Sequence, residues 1–215
     1  INGGGLKYDY FSPNEKHRFN VFASAQHINR DSYYGGGQDL NAYGNTTDLN
    51  WMAGSQYVYS FGKCIFMPSD LTAGIEFNQD KLEDNMWGYH RTVDQKVNIG
   101  SAFLQNEWKN DHWGFLLGGR LDKHNLIDHI IFSPRANLRF NPTQNINLRL
   151  SYSSGFRAPQ AFDEDLHVEN VGGNVAMVEL AKDLKEERSQ SLSASADIYH
   201  RFGAFQINFL VEGFY

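Results

Sequence analysis

Phe205, Ile207, Phe209 and Val211 alternate with Gln206, Asn208 and Glu212, and this two-residue period returns through most of the chain. Successive side chains of a β-strand point to opposite faces, so such a run builds one oily face and one wet face. Leu210 breaks the pattern in that last run. Leu192, Ala194, Ala196 and Ile198 stand against Ser191, Ser193, Ser195 and Asp197 in the same way. Ile146, Leu148, Leu150 and Tyr152 oppose Asn147, Arg149, Ser151 and Ser153, while Leu71, Ala73, Ile75 and Phe77 oppose Thr72, Gly74, Glu76 and Asn78. No stretch approaches the roughly 18 consecutive apolar residues of a spanning helix. A spanning barrel escapes that test, because its strands hide only every second residue.

The pattern predicts nine strands, at 17–33, 46–61, 70–83, 96–109, 112–124, 131–140, 145–156, 187–201 and 204–215. Connections alternate in length. Those at 109–112, 141–145 and 201–204 are short and 61–70 is of middling length, whereas 34–45, 82–95 and 157–186 are long, with 124–130 the shortest of the second set. Tight turns at one end and long loops at the other are the habit of outer-membrane barrels. Alternation alone also fits a soluble sandwich. Trp108, Trp113, Phe140, Phe202 and Phe205 gather beside the short turns, with Tyr199 slightly further in, and such a belt suits a lipid headgroup boundary. Val97, Ile99 and Phe103 fall on one parity but Ala102, Leu104 and Trp108 on the other, an apparent switch that a β-bulge would explain.

Aromatic residues at 14% and 20 glycines beside a mean hydropathy of −0.52 favour an all-β fold over a helical one. A net charge of −6 argues against an electrostatic nucleic-acid partner. Cys64 is the single cysteine, so no internal disulfide can form. Ile1-Asn2-Gly3-Gly4-Gly5 reads as a loop-like start within something longer rather than as a leader peptide.

One region is more specific. Gly155-Phe156-Arg157-Ala158-Pro159 ends a strand, an acidic loop follows, and Leu184-Lys185-Glu186-Glu187-Arg188-Ser189 opens the next strand. Upstream lie Phe103-Leu104-Gln105-Asn106-Glu107-Trp108, Gly119-Arg120-Leu121-Asp122 and Ser133-Pro134-Arg135, in that order. This succession resembles the barrel of TonB-dependent outer-membrane receptors. The resemblance implies an antiparallel up-and-down transmembrane β-barrel of about twenty-two strands with a plugged lumen. It implies import of a scarce nutrient with energy relayed by TonB through the plug, no enzymatic chemistry and no resident cofactor. On this reading, residues 1–215 are the middle strands of one barrel domain, a partial barrel of about nine strands without the plug domain.

The resemblance also frames the site residues. Ligand is caught by extracellular loops, which makes Tyr33, Tyr34, Tyr43, Trp87, Tyr89, His90, Arg91, His124 and His129 the candidates. Aromatic and Arg side chains offer rigid area with a polar handle. Arg120, Asp122, Arg135, Arg139 and Arg149 fall on lumen-facing parity and suit pairing with each other, with plug carboxylates, or with an anionic chelate. His124 and His129 could hold a metal or haem iron, and Asp163, Glu164 and Asp165 could hold calcium, but ordinary polar loop residues explain both groups, and no metal site is assigned. The expected partners are outer-membrane lipid, the protein's own plug and, through it, TonB, and a small-molecule nutrient such as a siderophore, haem or cobalamin. A passive porin, an oligosaccharide importer and a soluble lectin-like module share parts of this pattern. An isolated sheet with two open edges is expected to self-associate.

Overall fold

The computed structural model describes residues 1–33, 43–161, 169–171, 174–176, 181 and 183–215. Among these, ten strands form one antiparallel meander: β1 (Asn2–Phe11), β2 (His17–Tyr33), β3 (Tyr43–Cys64), β4 (Met67–Met86), β5 (Arg91–Lys109), β6 (Trp113–His124), β7 (Ile131–Thr143), β8 (Ile146–Arg157), β11 (Glu187–Phe202) and β12 (Phe205–Phe214). Two short strands, β9 (Glu169–Val171) and β10 (Asn174–Ala176), make a separate hairpin between β8 and β11. Every neighbour in the large sheet is also the neighbour in sequence apart from that interposed hairpin. β1 and β12 are its two edges.

The turns at one end follow from local chemistry. Gly203 sits at φ +57° in the turn between β11 and β12, a conformation that glycine adopts without a Cβ penalty. Asn110 Oδ1 accepts from the backbone N–H groups of His112 and Trp113 at 2.9 and 2.7 Å, closing the connection from β5 to β6. Between β3 and β4 the Phe66 N–H reaches Cys64 O at 2.9 Å with Ile65 at φ +65°, a tight γ-turn.

Register assigns every strand residue to a face. Glu76 lies opposite Gly54 and Ser101, Ser101 opposite Asp122, Arg120 opposite Ser133, Arg135 opposite Ser153, and Ser153 opposite Ser191. These residues share one polar face. The reverse face carries Ile75, Leu104, Leu117, Phe132 and Phe209, each more than half exposed. Such a surface is large, apolar and uncovered, which in water would drive association.

Three sequence expectations need correction. The glycine triplet near the start is strand, not loop: β1 pairs with β2 from Asn2↔His27 to Phe11↔Arg18. A Cβ on Gly5 would lie 3.2 Å from both Ala23 O and Ser24 Cβ, so the glycines permit close strand approach instead of a turn. β5 contains no bulge, since its pairing with β4 runs unbroken from Ser69↔Trp108 to Met86↔Arg91. Its apparent parity switch is instead a change of surroundings. Ala102, Leu104 and Trp108 lie on the apolar face, but further up that face holds Asn98, Lys96 and Asp94, while Val97 and Val93 point to the polar side and pack there. Tyr199, third, leaves the aromatic belt: it sits on the polar face opposite Asn208, with its hydroxyl donating to Asp197 Oδ2 at 2.9 Å.

Strand length explains why the surroundings change. β3, β4 and β5 contain 22, 20 and 19 residues, about twice the 9–11 that cross a bilayer at the usual tilt. Their lower halves carry the apolar face, and their upper halves rise beyond it. Aromatic rings close the band beside the short turns: Phe66 stacks on Trp108 at 5.6 Å, Trp113 on Phe115 at 5.7 Å and on Phe140 at 4.2 Å. Trp108 Nε1 donates to Cys64 O at 3.0 Å, so the ring is apolar on one side and hydrogen-bonded on the other.

The sheet has no thick core. Among the described residues, most buried apolar side chains gather at the long-loop end, where Leu82 and Ala161 meet Val93 and where Met86, Val97, Ile127 and Ile131 are also buried, whereas Val58 is buried in the short-turn half of β3. Elsewhere aromatic side chains cover glycines on the neighbouring strand. A Cβ on Gly74 would lie 2.3 Å from Phe103 Cζ, which fixes glycine at that position.

Candidate ligand path along the polar face

A charged network crosses β4, β5 and β6 at the middle of the polar face. Arg120 donates through Nε to Asp122 Oδ1 at 2.8 Å, through Nη2 to Ser101 Oγ at 2.8 Å, and through Nη1 to Glu76. Ser101 Oγ donates to Asp122 Oδ1 at 2.6 Å. One guanidinium therefore faces two carboxylates, and the planar fork of Arg is what lets a single side chain serve three acceptors. A groove of about 550 Å³ opens beside it, lined in part by Gln56, Thr72, Glu76, Arg120 and Arg135.

Toward the short turns the same face holds Arg135, Arg139 and Arg149, which flank a second groove of about 460 Å³ with Glu107 on its wall. Arg139 and Arg149 are direct cross-strand partners. Arg149 Nε donates to Asn147 Oδ1 at 2.8 Å, and Arg139 Nη2 to Asn110 O at 2.9 Å, so both are held by neutral acceptors. Among the described residues the Arg135 guanidinium has no hydrogen-bond or ion-pair partner. Like charges set opposite one another repel unless an anion lies between them.

At the long-loop end the candidates separate. Tyr33 and Tyr43 are cross-strand partners on the outward face with ring centroids 4.7 Å apart, at the base of the connection between β2 and β3. Tyr34 lies outside the described residues, as do Asp163, Glu164 and Asp165. Trp87 and Tyr89 belong to a single 3-10 turn, Trp87–Tyr89, capped by His90 at φ 51° in the left-handed region; Trp87 is 61% exposed. Arg91 turns to the polar face, where its Nη1 lies 4.0 Å from the fully buried Asp84, whose other oxygen accepts from Thr46 Oγ1 at 2.6 Å.

His124 and His129 are not brought together around a common point. His124 is fully buried: Leu126 N–H donates to its Nδ1 at 3.0 Å, which leaves Nε2–H to donate to Gln160 Oε1 at 3.1 Å. Burial holds this imidazole below its ordinary value of 6.5; the neighbouring Lys123 charge acts in the same direction and the Gln160 hydrogen bond opposes it. Both nitrogens are engaged, so the ring serves as a neutral strut. His129 is exposed and joins Glu186 at 3.2 Å and Arg188 at 3.0 Å. The Glu186 carboxyl is held below the usual carboxylate range, first by its own backbone N–H and then by Arg188 and His129, against the opposing effect of desolvation. The Leu184 to Ser189 motif thus ties the start of β11 to the connection between β6 and β7.

Sequence reasoning missed Gln95 and Gln160. Residues 158–161 lie against the polar face, and Gln95 holds them through the backbone of Ala161. No local signal marks either glutamine, because the contact joins residues far apart in the chain.

Residues 2–215 match the model of the TonB-dependent receptor-like β-barrel. The chain belongs to this family. Among solved structures it is similar to a mutant of the ferric enterobactin receptor PfeA from Pseudomonas aeruginosa, with 15% identity and a TM-score of 0.72 over 92% of this chain and 32% of that one. The siderophore receptor PirA from Acinetobacter baumannii gives 18% identity and a TM-score of 0.66 over 96% of this chain and 33% of that one. The ferric citrate transporter FecA gives 12% identity and a TM-score of 0.62 over 91% of this chain and 32% of that one. The chain therefore spans about a third of the length of these structures. Comparison with curated proteins gives no match.

Proposed function

We propose that this chain is part of the barrel wall of an outer-membrane receptor that imports a scarce nutrient of the metal-chelate class, such as a siderophore, haem or cobalamin, with energy relayed by TonB through a plug. The observation that carries this reading is the register. It sets Arg120, Asp122, Arg135, Arg139 and Arg149 on one face, opposite an exposed apolar face. Family membership and structural likeness to receptors named for ferric enterobactin and siderophores support the same conclusion.

The chemistry along the path is binding, not bond-making. Arg120 is already neutralised within the wall by Glu76 and Asp122. Arg135, Arg139 and Arg149 have only neutral partners or none, so they are the groups able to meet an incoming carboxylate, whether on the plug or on an anionic chelate. Trp87, Tyr89 and His90 stand at the long-loop rim as first contacts.

The test is uptake by cells that express the full-length protein, with and without TonB. Ferric-chelate uptake that requires TonB and falls in Arg135→Gln/Arg149→Gln supports the proposal. Uptake that persists without TonB identifies a passive porin, and competition by oligosaccharides alone identifies a glycan importer.

A further inference from the structure

A rung of two lysines stands on the lipid side directly above the apolar band. Lys81 on β4 is the cross-strand partner of Lys96 on β5, and both are exposed. Like charges directly opposite in a sheet repel. Climbing the outward face, β4 and β5 present Phe77 opposite Gly100, then Gln79 opposite Asn98, then the lysine rung, then Glu83 opposite Asp94. Gln79 Nε2 donates to Asn98 Oδ1 at 2.7 Å. Trp51 Nε1 donates to Gln79 Oε1 at 3.1 Å, while its ring lies 5.2 Å from that of Phe77. An indole with its ring against the apolar band and its N–H in a polar rung marks the height where hydrocarbon gives way to headgroups. The lysines stand one rung further out, about 7 Å.

Resting on the outer-membrane reading above, we propose that Lys81 and Lys96 bind the phosphate groups of an anionic lipid headgroup in the leaflet on the long-loop side. The order of charge points to this occupant. Amines stand next to the lipid, and the carboxylates of Glu83 and Asp94 stand behind them, away from it. Lys81 is already paired with Glu83, whereas the ammonium of Lys96 has no hydrogen-bond or ion-pair partner among the described residues, and the Asn125 amide donates to its backbone carbonyl at 2.8 Å. Lys123, outward and exposed opposite Gly100, adds a third positive charge on the adjoining strand, although its ammonium is partly used by the carbonyls of Ile127 and Asp128 at 2.6 and 2.9 Å. Free phosphate would meet only the amines. A lipid also lays its acyl chains on Phe77, Ala102, Leu104 and Leu121 below them, which favours the lipid as source.

Native mass spectrometry of the detergent-solubilised full-length protein tests this, with lipid A, enzymatically dephosphorylated lipid A and inorganic phosphate as probes. Lipid A binding is expected to fall roughly fivefold in Lys81→Gln or Lys96→Gln and by more in the double variant. It is expected to rise in Glu83→Gln/Asp94→Asn. Heat-modifiability on gels confirms that each variant is folded. Equal binding by the double-lysine variant, equal binding of the dephosphorylated lipid, or equal saturation by inorganic phosphate would overturn the proposal. TonB-dependent uptake in the same variants reports separately on the importer reading, since both lysines face away from the lumen.

Discussion

Gln95 grips Ala161 with both halves of its side-chain amide. Its Oε1 accepts from the Ala161 N–H at 2.8 Å and its Nε2 donates to the Ala161 carbonyl at 3.0 Å. An amide side chain that mimics a strand neighbour in this way satisfies two backbone groups of Ala161, which packs with the buried Leu82 and the half-buried Val93. Residues 158–161, at the end of the Gly155 to Pro159 motif, are thereby strapped to the polar face.

Gln95→Ala should release the strap without disturbing the barrel. Each lost hydrogen bond contributes about 1 kcal/mol, so protection of the Ala161 amide in hydrogen exchange is expected to fall about tenfold or more. Amides in the middle of β5 should keep their protection. Gln95→Glu retains the acceptor and loses the donor, and its effect should be intermediate or greater, since Glu also places charge near apolar groups.

The second anchor of the strap is acid-sensitive. His124 lies above the apolar band, with a pKa below the unfolded value of 6.5, so its native site binds fewer protons than the unfolded chain. Its contribution is complete above that value and is lost as pH falls from there through the lower native value. Protonation would place a second N–H at Nδ1 against the Leu126 N–H that it now accepts. Exchange at Leu126 and at Gln160 should accelerate over that acidic window, and His124→Gln should abolish this dependence.

Arg120→Ala would leave Glu76 and the nearly buried Asp122 without their cation. Removing one partner costs more than the pair contributed, because the remaining carboxylates stay partly desolvated. A loss of about 1–3 kcal/mol is expected, discounted for the partial exposure of Arg120. The urea midpoint of heat-modifiability measures it, and Arg120→Ala/Glu76→Gln should recover part of the loss.

Gly74→Ala should be disfavoured for steric reasons. The new Cβ would lie 2.3 Å from Phe103 Cζ and 2.8 Å from the Ser55 carbonyl. Overpacking of this kind costs about 1–3 kcal/mol. Adding Phe103→Leu relieves the first clash but not the second, so thermal melting of the double variant should recover only in part.

Much of this architecture is legible in the sequence because the period of a strand is strict. The oily and wet sets of β4, β8, β11 and β12 match the faces assigned by register, and Trp108, Trp113, Phe140, Phe202 and Phe205 do share the apolar face. The errors have physical causes. Three glycines look like a turn in isolation, and only their pairing with Gln26, Ala25 and Ser24 across the ladder makes them a strand. The parity of β5 reverses because a strand of 19 residues runs past the apolar band, and beyond it the outward side carries Asn98, Lys96 and Asp94. Tyr199 carries an aromatic ring that composition alone assigns to the belt, yet its place in the ladder sets it beside Asp197. The strap is illegible for a different reason: Gln95 and Ala161 meet only after three strands, β6, β7 and β8, have been laid between them.

The central claim is that the two faces of this sheet see different solvents. Spin labels placed singly in a Cys64→Ser background of the full-length protein in bilayers test it by power saturation with oxygen and with a water-soluble nickel chelate. Labels at Ile75, Leu117, Leu148 and Phe209 should be accessible to oxygen and shielded from nickel, and labels at Asn78, Asn137, Ser151 and Gln206 should show the reverse. Loss of that alternation, or nickel access at the apolar positions, would contradict the account.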